Sequence, residues 1–292
     1  MNIDYLENIP QWFEEQTKLD LVLSNDIDSL LSCALLKSVK GWDVRYFYDF
    51  ENCYASKKLK NSTNERCWVD VAVLNGEKAF DNHVSMVTIW DDYNRQMINP
   101  NIMSHITNEY YTDKYAGSTA LLIWSIYDLP LPKTEEGKML LLCIDSAFKG
   151  HYYEKFAEAN QFYLCDMLGF GELYDVMERH EIGEFYDMIE KYKLNDTIIM
   201  KDGRVYSELN LNVIGELLGV KLELPDDSFL LWKEYEIREE KIYDYIHTAN
   251  DISRNIFSLA FTYKNNVRYS KVKQKKEKSY EEFRKCLYGF NG

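Results

Sequence analysis

Five aspartates and one histidine stand where a side chain with charge to place must find a partner. Asp26 and Asp28 alternate in LSNDIDSLLS, Asp70 interrupts CWVDVAV, Asp81 and His83 flank Asn82 in FDNHV, and Asp145 closes LLLCID. Alternate residues in an extended turn direct both of their carboxylates toward one site. Burying any of these groups unpaired is expensive, so convergence on cations is an economical explanation. Oxygen ligands suit Mg²⁺ or Mn²⁺, and a pair of such ions activates water and stabilises a phosphoryl transition state. Taken one at a time, each aspartate has a plainer reading as an N-cap, a turn former or a surface carboxylate.

The surrounding pattern predicts the elements that position these residues. The first sixteen residues have helical spacing, followed by a buried strand over 19–23. SNDIDS then leads into a helix carrying Leu30, Leu31, Ala34, Leu35 and Val39, with Gly41 placed to end it. Further strands are predicted over 43–50, 67–73 and 84–91, with SKKLKNSTNE between the first two. Helices are predicted over 118–129 and 134–148, the second opening Thr-x-x-Gly, and helical patterns continue to Leu194. Strands interleaved with helices imply an α/β protein with a mainly parallel sheet, whose ligand crevice lies at the strand C-terminal ends. Beyond Leu194, Asp202-Gly203 marks a hairpin, NLNVIGELLGVKLEL reads as helix then strand, and WKEYEIREEKIYDYIHTA reads as a charged helix. IFSLAFTY and NVRYSKV form a second strand pair around Lys264-Asn265.

The chain has 292 residues, with 34 Lys+Arg against 48 Asp+Glu and a formal charge of −14. That balance opposes indiscriminate binding to long nucleic acid, while leaving short oligonucleotides, metal-bound nucleotides and basic proteins as partners. The one strong basic run is KVKQKKEK (271–278). No apolar run approaches the roughly 20 residues of a membrane span, and MNIDYLENIPQWFEEQ lacks a signal-peptide pattern, so the expectation is a cytoplasmic protein without a membrane. The six scattered cysteines form no C-x-x-C, and most of them read as core residues in a reducing compartment. Walker, G-x-G-x-x-G and G-x-S-x-G motifs are absent. Trp42, Trp68, Trp90, Trp124 and Trp232 read as core rather than as a base-stacking platform.

The order LSNDIDSLLSCALL, WVDVAV, DNH, CIDSAF resembles the four motifs of the DHH phosphoesterase superfamily, which includes RecJ-like exonucleases, nano-RNases and manganese pyrophosphatases. The resemblance covers about residues 18–150. IFSLAFTYKNNVRYSKV more weakly resembles the small companion domain. The resemblance implies a DHH-like domain over 1–165, a helical connector over 166–194 and a companion α/β domain over 195–292. It also implies a two-metal site holding Mn²⁺ or Mg²⁺. Asp26 would ligate the first metal, Asp28 and Asp145 the second, and Asp70 would bridge them; Asp81 would support the third motif and His83 would lie near the phosphate.

The chain departs from that pattern. The positions of a further ligand, four or two residues before Asp26, hold Val22 and Ser24. The middle residue of the third motif, an imidazole ligand in the family, is Asn82, which offers a carbonyl oxygen instead. The family's Gly-Gly-His loop has no counterpart where LYGFNG stands. Two functions therefore fit the sequence. One is a metal-dependent phosphoesterase acting on a short oligonucleotide or small nucleotide. The other is a degenerate relative that binds a protein or nucleotide, such as an inhibitor of a nucleic-acid-processing or defence complex. Arg268 and His151 are candidate substrate contacts, and Lys57, Lys58 and Lys60 candidate phosphate contacts, each with a plain reading as a salt bridge or a solvated residue. Oligomerisation is left open.

Overall fold

The computed structural model describes residues 1–273; the basic run from residue 274 onward, Cys286 and LYGFNG lie outside the described residues. The strands are β1 (Asp20–Leu23), β2 (Asp43–Tyr48), β3 (Asn52–Ser56), β4 (Arg66–Val69), β5 (Lys78–Phe80), β6 (Met97–Ile98), β7 (Ile199–Lys201), β8 (Arg204–Tyr206), β9 (Phe229–Lys241), β10 (Ser258–Tyr263) and β11 (Asn266–Val272). All but β7 and β8 belong to one nine-stranded sheet of order β10-β11-β9-β3-β2-β1-β4-β5-β6. Strands β2, β1, β4, β5 and β6 run parallel, and every pairing beyond β2 is antiparallel. The α/β class is as expected, and β2, β1, β4, β5 and β6 form the expected parallel portion of a sheet that β3 and β9 to β11 make mixed.

β1 is buried at all four residues, which is why Leu21–Leu23 read as an apolar run, and its buried Asp20 is met by Ser62 and Asn64. The helix Ile27–Lys40 follows it and ends at Gly41, whose φ of 69° is the left-handed turn that favours glycine there. The chain then pairs β2 on one side of β1 and returns to place β4 on the other. Connections that diverge from one strand open a crevice at the strand C-terminal ends.

Several sequence expectations change. Residues 232–241 of the expected charged helix instead belong to β9, which pairs with β3 through Phe229–Glu234 and with β11 through Tyr235–Lys241. Residues 84–91 form no strand, making only a bridge from Met86 to Thr107; Asp91 accepts the Val87 N–H at 3.0 Å and the Ala249 N–H at 3.0 Å and turns the chain instead. The N-terminal segment forms only the short turns Ile3–Leu6 and Gln11–Phe13, and residues 219–224 form no strand. Trp42, Trp68 and Trp124 are buried as expected, but Trp90 is 81% exposed. Among the described residues, no helix is long and apolar enough to cross a membrane.

Candidate metal and phosphate site

Successive parallel strands deliver the motif residues to one end of the sheet. Asp26 follows β1, Asp70 follows β4 directly, Asp81 follows β5 directly, and Asn99 follows β6 directly. Asp26 also caps the helix Ile27–Lys40, accepting the Ser29 N–H at 2.9 Å, so its plainer reading as an N-cap holds at the same time. The Ser29 hydroxyl donates to the Val69 carbonyl at 3.0 Å and accepts the Ser24 N–H at 2.8 Å, fastening the first motif to β4. Asp145 leaves the helix Glu135–Cys143 with φ 49°, and Asp70 has φ 60°; left-handed conformations at non-glycine residues cluster where a side chain must be aimed.

The carboxylates converge. Asp26 and Asp70 lie within hydrogen-bonding reach, and Asp70 experiences the charges of Asp26, Asp28, Asp145 and Asp81. Burial first, then these like charges, pushes Asp28 and Asp70 well above the usual carboxylate range. Desolvation also raises Asp26 and Asp145. A cluster that holds protons in this way is one in which cations can replace them.

The third motif is held by a second layer. Asp81, fully buried, accepts from His83 Nδ1 at 2.8 Å and from the His83 N–H at 3.0 Å. Asn99 donates to Asp81 at 2.7 Å and to the His83 carbonyl at 2.8 Å. Asn101 donates to the Asn82 carbonyl at 2.7 Å. Burial opposes the His83 imidazolium, yet Asp81 and then Asp145 outweigh it and raise its pKa to about 9. With Nδ1 on Asp81, His83 has Nε2 left for a ligand. Asp70, Asp81 and His83 alone place ligand atoms within 4.8 Å of one another, a grouping that could hold a metal ion.

Asn82 tests whether a metal fits. Its Nδ2 donates to Asp145 at 2.6 Å and to the Gly117 carbonyl at 2.7 Å, which fixes the amide orientation. Its Oδ1 is buried without a hydrogen-bond partner. A buried, unpaired carbonyl oxygen on a side chain that touches Asp145 and shares a cavity with Asp70 suits a hard cation. Asp28 differs: its two oxygens take the Ala120 and Thr119 N–H groups at 2.8 Å each, so it holds the start of the helix Thr119–Ile126.

Asp70, Asn82, His83 and Asp145 line a cavity of about 900 Å³ whose other wall comes from β10 and β11 and includes Arg268. Arg268 thus shares this cavity with Asp70 and Asp145. The Arg268 guanidinium is 3.7 Å from Glu239 and lies over the Phe50 ring. His151 does not line this cavity; it lies 3.6 Å from Glu178 and packs against Tyr152 and Tyr174. Lys58 pairs with Asp227 instead of reaching the site.

Sequence reasoning missed Asn99, Asn101 and Thr119. Asn99-Pro100 is a readable helix start, with Asn99 capping and Pro100 at the first position. Its bonds to the third motif had no local signal. Compared with protein-family models, with curated proteins and with solved structures, the chain gives no match.

Proposed function

We propose that this chain is a DHH-type metal-dependent phosphoesterase that cleaves a phosphodiester in a short oligonucleotide or small nucleotide. The supporting observation is that Asp70, Asp145 and the unpaired Asn82 oxygen line one cavity with Arg268, while Asp70 experiences the charge of Asp26 behind it. Asp26, Asp70, Asn82 and Asp145 would hold Mg²⁺ or Mn²⁺, while Asp28 anchors the adjoining helix. Bound there, such ions supply a water of lowered pKa and charge for the phosphoryl oxygens. His83, kept protonated and oriented by Asp81, donates to a phosphate oxygen. Arg268 pairs with a phosphate from the opposite wall. Strands β9 to β11 serve in this reading as the companion unit that closes the cavity.

The alternative of a degenerate binding protein draws on one observation. Val22 is fully buried in the sheet, so that position supplies no ligand. Hydrolysis of a dinucleotide with Mg²⁺ or Mn²⁺ separates the two: turnover by the wild type that Asp70→Asn abolishes supports the enzyme, and no turnover by a metal-bound wild type supports the binding protein.

A further inference from the structure

A phosphate entering this cavity meets carboxylates in a strongly acidic chain, so it needs a cation placed against them. Lys114 occupies that place. It lines the cavity with Asp70, Asn82, His83 and Asp145, and its ammonium accompanies no carboxylate in an ion pair among the described residues. Lys114 Nζ donates to the Tyr111 hydroxyl at 3.0 Å and lies 4.4 Å from the centre of that ring. The Tyr111 hydroxyl gives its own proton to the Thr262 carbonyl at 2.9 Å, which leaves its lone pair for the lysine. The ammonium is therefore moored to β10 with two of its three N–H donors unused by that bond. Both His83 and Asp145 experience its charge. The other cations of the cavity are placed differently, Lys264 on the Glu109 carbonyl, Arg268 beside Glu239, and Lys149 and Lys155 over the rings of Tyr186 and Phe156.

We infer that Lys114 is a further anion-holding residue of the cavity, beside His83 and Arg268, with its ammonium on a non-bridging oxygen of the substrate phosphate. The inference rests on the phosphoesterase reading, and it gives Lys114 the role of a point charge on the phosphoryl group. Mooring by Tyr111 keeps the lysine from collapsing onto Asp145, where it would neutralise a ligand.

The test is calorimetric titration of the full chain with orthophosphate, in Mg²⁺ and separately in EDTA, for the wild type, Lys114→Met, Lys114→Gln and Lys114→Arg. Mg²⁺ affinity is measured alongside. Lys114→Met and Lys114→Gln are expected to weaken orthophosphate binding at least tenfold, Lys114→Arg by threefold or less, with Mg²⁺ affinity within twofold throughout. Should Lys114→Met fail to fold, Lys114→Gln decides. Orthophosphate binding that is indifferent to Lys114, or absent from the wild type in both buffers, overturns the inference. Lys114-dependent binding in EDTA by a chain that takes up no Mg²⁺ supports the anion site and removes the metal reading.

Discussion

The Thr119 hydroxyl donates to Asp70 Oδ1 at 3.0 Å while the Thr119 N–H holds Asp28 at 2.8 Å. One residue at a helix start thereby sets the positions of two carboxylates that are 42 residues apart in sequence, Asp28 and Asp70. Groups that orient metal ligands are worth about 10- to 100-fold in metal affinity. Thr119→Val is expected to weaken Mg²⁺ binding by about tenfold, and Thr119→Ser to retain it, since serine keeps the hydroxyl. Calorimetric titration of the three proteins checks this.

Asn82 offers a carbonyl oxygen, which favours hard cations over borderline ones. Asn82→His is therefore expected to strengthen Mn²⁺ and Zn²⁺ binding by about tenfold relative to Mg²⁺, an order of magnitude set by exchanging oxygen for nitrogen. Competition between Mg²⁺ and Mn²⁺, read by calorimetry in both proteins, gives the ratio.

The four clustered aspartates give the metal-free protein a defined pH dependence. Asp28 and Asp70 have raised pKa values, so the folded chain binds more protons than the unfolded chain and stability falls as pH rises through the raised values. The lost stability returns as pH falls toward about 4, the unfolded carboxylate value. Mg²⁺ takes the place of the protons, so its stabilising shift in melting temperature should be larger at pH 8 than at pH 5.5. Asp70→Asn removes one repelling charge and should raise the metal-free melting temperature at pH 8 by roughly 2 °C, the shift about 1 kcal/mol makes in a chain of this size. Thermal melts with EDTA and with Mg²⁺ test both statements.

Glu77 behaves in the opposite way. Burial would raise it, but Arg66, donating twice at 2.8 Å, and Trp68, donating at 2.7 Å, hold it below its usual value. Its contribution is present above about pH 4.3 and is lost as pH falls through the depressed folded value. Glu77→Gln should cost about 2 kcal/mol near pH 7, the range for hydrogen bonds to a charged group, and less at pH 3. Urea unfolding at the two pH values measures the difference.

Much of this arrangement was readable from local sequence. Asp26, Asp28 and Asp70 stand out because each interrupts or adjoins an apolar run, and β1, the helix Ile27–Lys40 and the β10–β11 pair were predicted at nearly their observed places. β9 was not, because Glu, Lys and Arg favour helices in isolation. Tyr235 and Ile237 alternate with Glu236 and Arg238, and pairing with both β3 and β11 decides the conformation. β5 and β6 are too short to carry a periodic signal. His151 adjoins the fourth motif in sequence, but the turn after Asp145 takes it toward Glu178. Lys114 had no motif at all, since its meaning comes from Tyr111 and from the cavity that the distant strand β10 completes.

The most direct test of the metal centre is calorimetric titration of Mg²⁺ into the wild type and into Asp70→Asn. Saturable binding by the wild type that falls at least tenfold in Asp70→Asn is the predicted result. Absence of Mg²⁺ and Mn²⁺ binding by the folded wild type, or equal binding by both proteins, would contradict the assignment of these aspartates to a metal.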